Sequence, residues 1–401
     1  MSRPPRFDIA QAEADPAAYF AALAAEGPLV RRRLPILGPV WMTTTAEAAE
    51  EVLKSSDRFR MRLGGAAAGV RWWMPRSLRV LTRNMLSLDD PDHRRLRKSV
   101  DRAFARRDVQ RMRDEIGARA DALLDAMASR PAPCLVADFA RPLPLRVITD
   151  LLGVPPHHEA AFLRFSAAFG GMSGLQVPWL IFVAIPRLAR LTERVLDEAR
   201  ATPRPGLIAD LLAVQDELPE PERMSREELV AMIFLLMLAG METTTNLIAG
   251  GLLALDRSPE AKAWLMADPV GRRERVVEEL ARHVSSVQLT KPRFAVADTT
   301  VAGCPVRRGD KVMAAIAAAN LDPARFEAPK TLRADRFPNP HLAFGTGVHF
   351  CLGMQLARVE VQEAVTRFLS RFPDARLGRP AYAGRPGQRA IRSLPVRLAT
   401  A

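Results

Sequence analysis

From Arg226 to about Leu255 the sequence REELVAMIFLLMLAGMETTTNLIAGGLLAL keeps an apolar pattern at helical spacing. Ser225, followed three positions later by Glu228, forms a capping box at its start, after the loop DELPEPERM. At 1.5 Å per residue such a helix is about 45 Å long, enough to cross an entire protein. Whatever this chain folds into is assembled around that rod.

The remaining helical patterns are Ala46 to Lys54, Val109 to Ser129, Leu188 to Ala201, Arg272 to His283 and Met354 to Phe372. Strand-like stretches are shorter. Leu29 to Thr44 is broken by Pro35 and Gly38, Arg293 to Met313 turns at Gly303 and Gly309, and Leu394 to Ala399 closes the chain. The fold class expected is mainly α with a small β region. With 401 residues, 48% of them apolar, a large core is affordable, and no linker, low-complexity tract or repeat divides the chain. One continuous unit, 1–401, is expected, with a β-rich lobe formed by about 28–60, 284–316 and 388–400.

Several classes are set aside. The start, MSRPPRFDIAQAEADP, has no apolar stretch of a secretory signal. The runs Leu229 to Met241 and Val177 to Pro186 fall short of the roughly 20 residues of a membrane span, so a soluble cytoplasmic protein without a membrane anchor is expected. Cys134, Cys304 and Cys351 are far apart and make no zinc or disulfide spacing. The net charge of +13 admits a nucleic acid, an anionic surface or an acidic protein as partner, and does not choose among them.

The centre of the long helix reads AGMETTTN. Gly240 and three consecutive threonines are weak helix formers, at about 0.5–1 kcal/mol each relative to alanine. They signal either a functional break or a close helix contact, with the threonines bonded back to their own carbonyls.

The third constraint is FGTGVHFCLGMQLARVEV, Phe344 to Val361. A cysteine thiolate is a soft metal ligand that needs positive potential and donors to remain ionised. Gly345, Gly347 and Gly353 let the backbone turn tightly and approach a flat group, and the helix starting near Gly353 aims its free amides at the sulfur. A buried structural cysteine, or a nucleophile paired with His349, are the competing readings of the residues alone.

FGTGVHFCLG resembles the haem-binding signature of the cytochrome P-450 superfamily at every fixed position. The resemblance implies haem b (iron protoporphyrin IX) as cofactor, with Cys351 as the iron's thiolate ligand, Phe344 beside the sulfur and Ala357 against the porphyrin. It extends over nearly the whole chain. Glu279 and Arg282 in VVEELARHV resemble the family's Glu-x-x-Arg pair, completed by Arg336 in ADRF as a scaffold lock. DDPDHRRLRKSVDRAF resembles the helix that offers His93 and Arg97 to the haem propionates, with Arg293 and His349 as further partners. Read without the resemblance, these are an ordinary helix ion pair and a basic amphipathic helix.

AGMETT resembles the family's oxygen-activating stretch. By that likeness Leu238 and Ala239 border the haem, the helix opens at Gly240, Thr243 bonds the bound oxygen and Glu242 relays protons, with Thr244 as the alternative hydroxyl. The acid and alcohol together imply a monooxygenase supplied with electrons, inserting one atom of O2 into an apolar small molecule, with hydroxylation as the first choice of outcome. Likeness also assigns the pocket wall to Trp72, Trp73 and Met74, Phe165, Phe169, Trp179 and Phe182, Leu235 and Leu238, Val287 and Ile391. The family commonly has Ser-Pro where this chain has HVSSVQ, so the turn carrying Val287 differs.

Ferredoxin and ferredoxin reductase, or an equivalent pair, are expected as separate electron donors. Arg94, Lys98 and Arg102, which share one helix face, are the expected contact for an acidic ferredoxin. Two other readings remain open: a non-catalytic haem-binding or gas-sensing protein of the same fold, and a nucleic-acid binder, for which no motif accompanies the charge.

Overall fold

In the computed structural model, which describes residues 4–64, 66–67, 82–171, 179–384 and 386–398, the helices that frame the site are α1 (Ala46–Lys54), α2 (Asp92–Phe104), α3 (Arg113–Ala128), α4 (Pro142–Leu152), α5 (Pro156–Gly171), α6 (Ile185–Ala201), α7 (Leu207–Glu217), α8 (Arg226–Asp256), α9 (Arg273–Val284) and α10 (Met354–Arg371). The long rod is α8, 31 residues in one piece. Its capping box is complete: the Glu228 amide donates to Ser225 Oγ and the Ser225 amide donates to the Glu228 carboxylate.

Helix α8 is buried on nearly every face, packed by α4, α6, α9 and α10. With its short lead-in it is long and apolar enough to cross a membrane, and 78% of its apolar window is buried inside the fold. Its apolarity is that of a central core helix. Small residues let its neighbours approach. A Cβ at Gly250 would lie 2.7 Å from Val284 Cγ1 of α9, and one at Gly240 would lie 3.2 Å from Ile148 Cγ1 of α4.

The helix does not open at Gly240. It runs unbroken from Arg226 to Asp256, and Thr243 Oγ1 donates to the Ala239 carbonyl at 2.7 Å. The expected break is therefore corrected to a close helix contact with a back-bonded threonine, because packing by Ile148 and the surrounding core holds the weak stretch helical.

The main sheet has five strands, β1 (Leu29–Leu34), β2 (Gly38–Thr43), β3 (Phe59–Arg60), β4 (Arg293–Ala295) and β5 (Lys311–Met313), in the order β1-β2-β5-β4-β3. Only β2 and β5 run parallel. Of the stretch 388–400, expected in the same lobe, the described residues 388–398 do not join this sheet. Ile391–Ser393 pairs with Ala381–Tyr382, and Val396–Arg397 with Arg376–Leu377. Such two-residue partners carry too little pattern to be read from sequence.

One buried acid is a cost carried by the core. Glu360 on α10 is 2% exposed and its Oε2 has no hydrogen-bond partner. Burial pushes its carboxyl well above 4.5, so it is held protonated in the fold. The unfolded chain releases that proton above about pH 4.5, so the group's destabilising effect is absent in acid and grows as pH rises towards the folded value. Glu360→Gln is therefore expected to raise Tm at pH 8 and to leave it unchanged near pH 4. Equal shifts at both values, read in a thermal melt, would contradict this account.

Candidate functional site

The loop from Phe344 to Gly353 is closed by its own backbone. The Cys351 amide donates to the Phe344 carbonyl at 3.0 Å, and the Phe350 amide to the Gly347 carbonyl at 3.0 Å. Gly345 and Gly347 have φ of 70° and 73°, and a Cβ on Gly347 would sit 2.4 Å from the Leu53 carbonyl oxygen at the end of α1. Only glycine satisfies both demands there. Gly353 caps α10, so the sulfur lies at a long helix's N-terminus.

Burial pushes the Cys351 thiol above its ordinary value, against the Gly353 amide and the charges of Arg97 and Arg358, which lower it. The positive potential anticipated from sequence is present, but desolvation outweighs it. A coordinated cation is what deprotonates such a thiol outright.

Around the loop stands a set of basic side chains, His93 and Arg293 buried, Arg97 and His349 half-buried. His93 and His349 meet edge to face with centroids 4.5 Å apart. His93 Nδ1 lies 3.3 Å from Asp90 Oδ1, while its buried Nε2 has no partner. Arg97 donates to the Phe350 carbonyl at 2.8 Å and to Asp101. Arg293 donates to the carbonyls of Val52 and Leu53 at the end of α1, at 3.0 and 3.1 Å. Burial, reinforced by Arg293, His93, Lys291 and Arg97, pushes His349 down to about 3.

Lys291 was not anticipated. It is an exposed residue whose ammonium donates to Ser87 Oγ at 2.9 Å, and desolvation together with Arg62 lowers it to about 8. Arg293 is likewise lowered to about 10 by burial, opposed by Asp89. Asp89 already accepts the backbone amides of Met61 and Arg62. Buried charge of one sign is costly unless an opposite charge meets it. The arrangement is chemically suited to a buried dianion.

On α8 the residues flanking the midpoint are buried, yet Ala239 is exposed and Leu238, Gly240 and Thr243 are partly so. This stretch faces accessible space rather than packed core. Glu242 is 6% exposed, and Thr244 is 3% exposed on the buried side. Ala357 and Phe344 are half-buried, and Arg358 lies 5.3 Å above the Phe344 ring.

Below the loop is a buried charge network. Glu279 and Arg282, both 0% exposed, form two hydrogen bonds of 2.7 and 2.8 Å. Arg336 Nε, Asn339 Nδ2 and the Arg333 amide also donate to the Glu279 carboxylate, and Arg282 donates to the carbonyls of Asn320, Pro329 and Thr331. Burial would raise the Glu279 carboxyl, but the bonds and charge of Arg282 hold it below its ordinary range. A second link escaped sequence reading. Glu278 accepts both Nε and Nη2 of Arg358 at 2.7 Å and lies 3.1 Å from His341 Nε2, tying α9 to α10 beside the loop. Its signal was the carboxylate adjacent to Glu279 on the turning face of one helix.

The pocket assignments divide. Trp72, Trp73 and Met74 lie outside the described residues, as does the side chain of Phe169. Leu235 is packed in the core at 8% exposure. The Ile391 amide donates to Asn246 Oδ1 of α8 at 3.2 Å, and its side chain lines a cleft of about 300 Å³. Val287 is half-buried and bridges to Gln388. Trp179 and Phe182 are 44% and 53% exposed.

The expected cationic stripe is also corrected. Arg94, Lys98 and Arg102 are each paired with a carboxylate, Asp90, Glu222 and Glu217 respectively. The latter two acids are contributed by the end of α7 and the loop after it, which sequence spacing on α2 does not reveal.

Residues 181–269 and 273–373 match the family model described as Cytochrome P450. The chain is 35% identical to the cytochrome P450 monooxygenase PikC of Streptomyces venezuelae, over 96% of this chain and 91% of that protein. It is also 35% identical to the mycinamicin IV hydroxylase/epoxidase of Micromonospora griseorubida, over 91% and 90%. Among solved structures, that of the bacillaene polyketide synthase cytochrome P450 PksS of Bacillus subtilis superposes with a TM-score of 0.88 at 31% identity, covering 98% of this chain and all of that one.

Proposed function

Since the chain belongs to the cytochrome P450 family of haem monooxygenases, whose members bind haem b through a cysteine thiolate, we propose that Cys351 is the ligand here and that the protein hydroxylates an apolar small molecule. The observation that carries the reading is the Cys351 loop set beside His93, whose buried Nε2 has no partner, and the buried guanidinium of Arg293, which is bonded to backbone carbonyls. Such a set fits a flat iron porphyrin with two carboxylates. When bound, that group supplies reductive O2 activation, with one oxygen atom going to substrate and the other leaving as water.

The chain's own residues then have separable tasks. Cys351 would donate electron density to the iron, with the Gly353 amide and Arg97 near its sulfur. His93 Nε2, Arg97, Arg293, His349 and Lys291 would hold the cofactor's carboxylates by hydrogen bonds. Leu238, Ala239, Phe344, Gly345 and Ala357 would pack against the cofactor. Glu279, Arg282 and Arg336 fix the segment that carries the loop.

Thr243 is the hydroxyl on the accessible face of α8, and Thr244 is turned into the core. Thr243 donates a hydrogen bond to the Ala239 carbonyl, leaving its oxygen lone pairs to accept one, and Glu242 would relay protons through water. Val287 and Ile391 would contribute to the apolar wall that selects substrate. Electrons arrive from ferredoxin and its reductase. PikC and the mycinamicin hydroxylase act within the same family, and their names leave the substrate of this chain to experiment.

The test is reconstitution with a ferredoxin, its reductase and NAD(P)H, screening apolar compounds for labelled oxygen from O2 in the product. Absence of incorporation for every compound that shifts the haem spin state would overturn the monooxygenase reading. Thr243→Ala is expected to keep oxidising NAD(P)H while product per NAD(P)H falls about tenfold or more and peroxide rises. Unchanged coupling would remove Thr243 from its role.

A further inference from the structure

A second cluster of ligating groups lies away from the cysteine loop, where α5 begins and α6 ends. His157 and His158 are adjacent at the start of α5, and both turn towards Glu198 on the last turns of α6. His158 Nε2 is 2.7 Å from Glu198 Oε1, and His157 Nε2 is 3.2 Å from Glu198 Oε2. The two rings lie 4.1 Å apart, and one donor atom from each of the three residues falls within 4.8 Å of the others.

Neighbouring residues on a helix point about 100° apart, so two adjacent imidazoles converging on one carboxylate is a specific local arrangement. Its dimensions come near those of a metal site, with His158 Nε2 and Glu198 Oε1 drawn to 2.7 Å by a hydrogen bond that a metal would replace. Two ligands at 2.0–2.1 Å from a tetrahedral zinc ion lie about 3.4 Å from each other, close to the spacing of His157 Nε2 and Glu198 Oε2. Two neutral imidazoles and a carboxylate form a three-ligand set that leaves a fourth position for water.

The surroundings allow it. His157 and Glu198 are 61% and 41% exposed in their side chains, so an ion enters without rearrangement of the core, while His158 at 11% is held in place. Of the six histidines in the sequence, the other four are His93, His283, His341 and His349, none of them exposed. The pair thus holds the chain's accessible imidazole.

We propose that His157, His158 and Glu198 form a binding site for a divalent transition metal, zinc or copper, that clamps the start of α5 to the end of α6. Both helices pack against α8, which carries Thr243, so the clamp fastens the base of the helical pair that lies over the long helix. None of the three residues belongs to the haem site, and the inference stands whether or not the proposed substrate class is right.

The test is titration of the haem-loaded protein with ZnCl2 by calorimetry, and with CuCl2 by electron paramagnetic resonance. The wild type is expected to take up one equivalent, with nitrogen hyperfine structure in the copper spectrum. His157→Ala, His158→Ala and Glu198→Gln should each weaken binding by about tenfold or more. Zinc should raise the Tm of the wild type and not that of the His157→Ala/His158→Ala double variant. No saturable binding by the wild type, or binding that survives the double substitution unchanged, would overturn the site.

Discussion

Replacing Glu279 by alanine is expected to lower the stability of the folded protein by about 3–5 kcal/mol. The carboxylate is fully buried and accepts hydrogen bonds from Arg282, Arg336, Asn339 and the Arg333 amide. Removing it leaves two guanidinium groups, 0% and 6% exposed in their side chains, without a counter-charge. Arg282 retains its three carbonyl acceptors, and the Phe326 ring lies 5.2 Å from Arg282 and 5.8 Å from Arg336. These contacts soften the loss without neutralising it. Denaturant unfolding of the haem-loaded protein measures the effect. A change below about 1 kcal/mol, the range of an exposed ion pair, would show that the network is no more than a surface bridge in energetic terms.

The second large effect is at Cys351. Cys351→Ala is expected to cut product formation by more than about 100-fold, beyond what loss of a supporting partner alone costs a metal site. The reduced, carbon-monoxide-treated variant should also lose the red-shifted Soret maximum of sulfur ligation. The surrounding loop need not collapse, because its closing bond is the Cys351 backbone amide to Phe344 and its turns are made by Gly345 and Gly347. Retained haem with altered ligation is therefore the expected state. A wild-type spectrum without the sulfur signature, or a variant that keeps it, would remove Cys351 from the iron.

The two experiments separate two kinds of failure. Glu279→Ala is read in stability, where the spectrum of the folded fraction should still carry sulfur ligation. Cys351→Ala is read in ligation, where the unfolding midpoint should move mainly through the weaker hold on the cofactor.

The sequence by itself determined the rod and the loop. The capping box at Ser225 and Glu228 and the apolar run to Asp256 are local signals, and the helix they specify is the one observed. The glycines of the Cys351 loop likewise announce left-handed turns, and two of them adopt positive φ. Glu279 and Arg282 were also legible, being three residues apart on one helix.

Only the tertiary structure decided what those local signals meet. Whether Gly240 opens α8 was settled by Ile148 packing against it, and whether Arg102 is a free cation by Glu217 arriving from α7. Lys291 reads as an isolated loop residue until the fold sets its ammonium against Ser87 Oγ and close to Arg62 and His349. Glu198 is 40 residues from His158 along the chain, and no periodicity links them. The physical reason is common to all four. Helix periodicity and glycine conformation are properties of a short stretch of backbone, whereas burial, charge pairing and ligand convergence depend on surfaces brought together from distant parts of the chain.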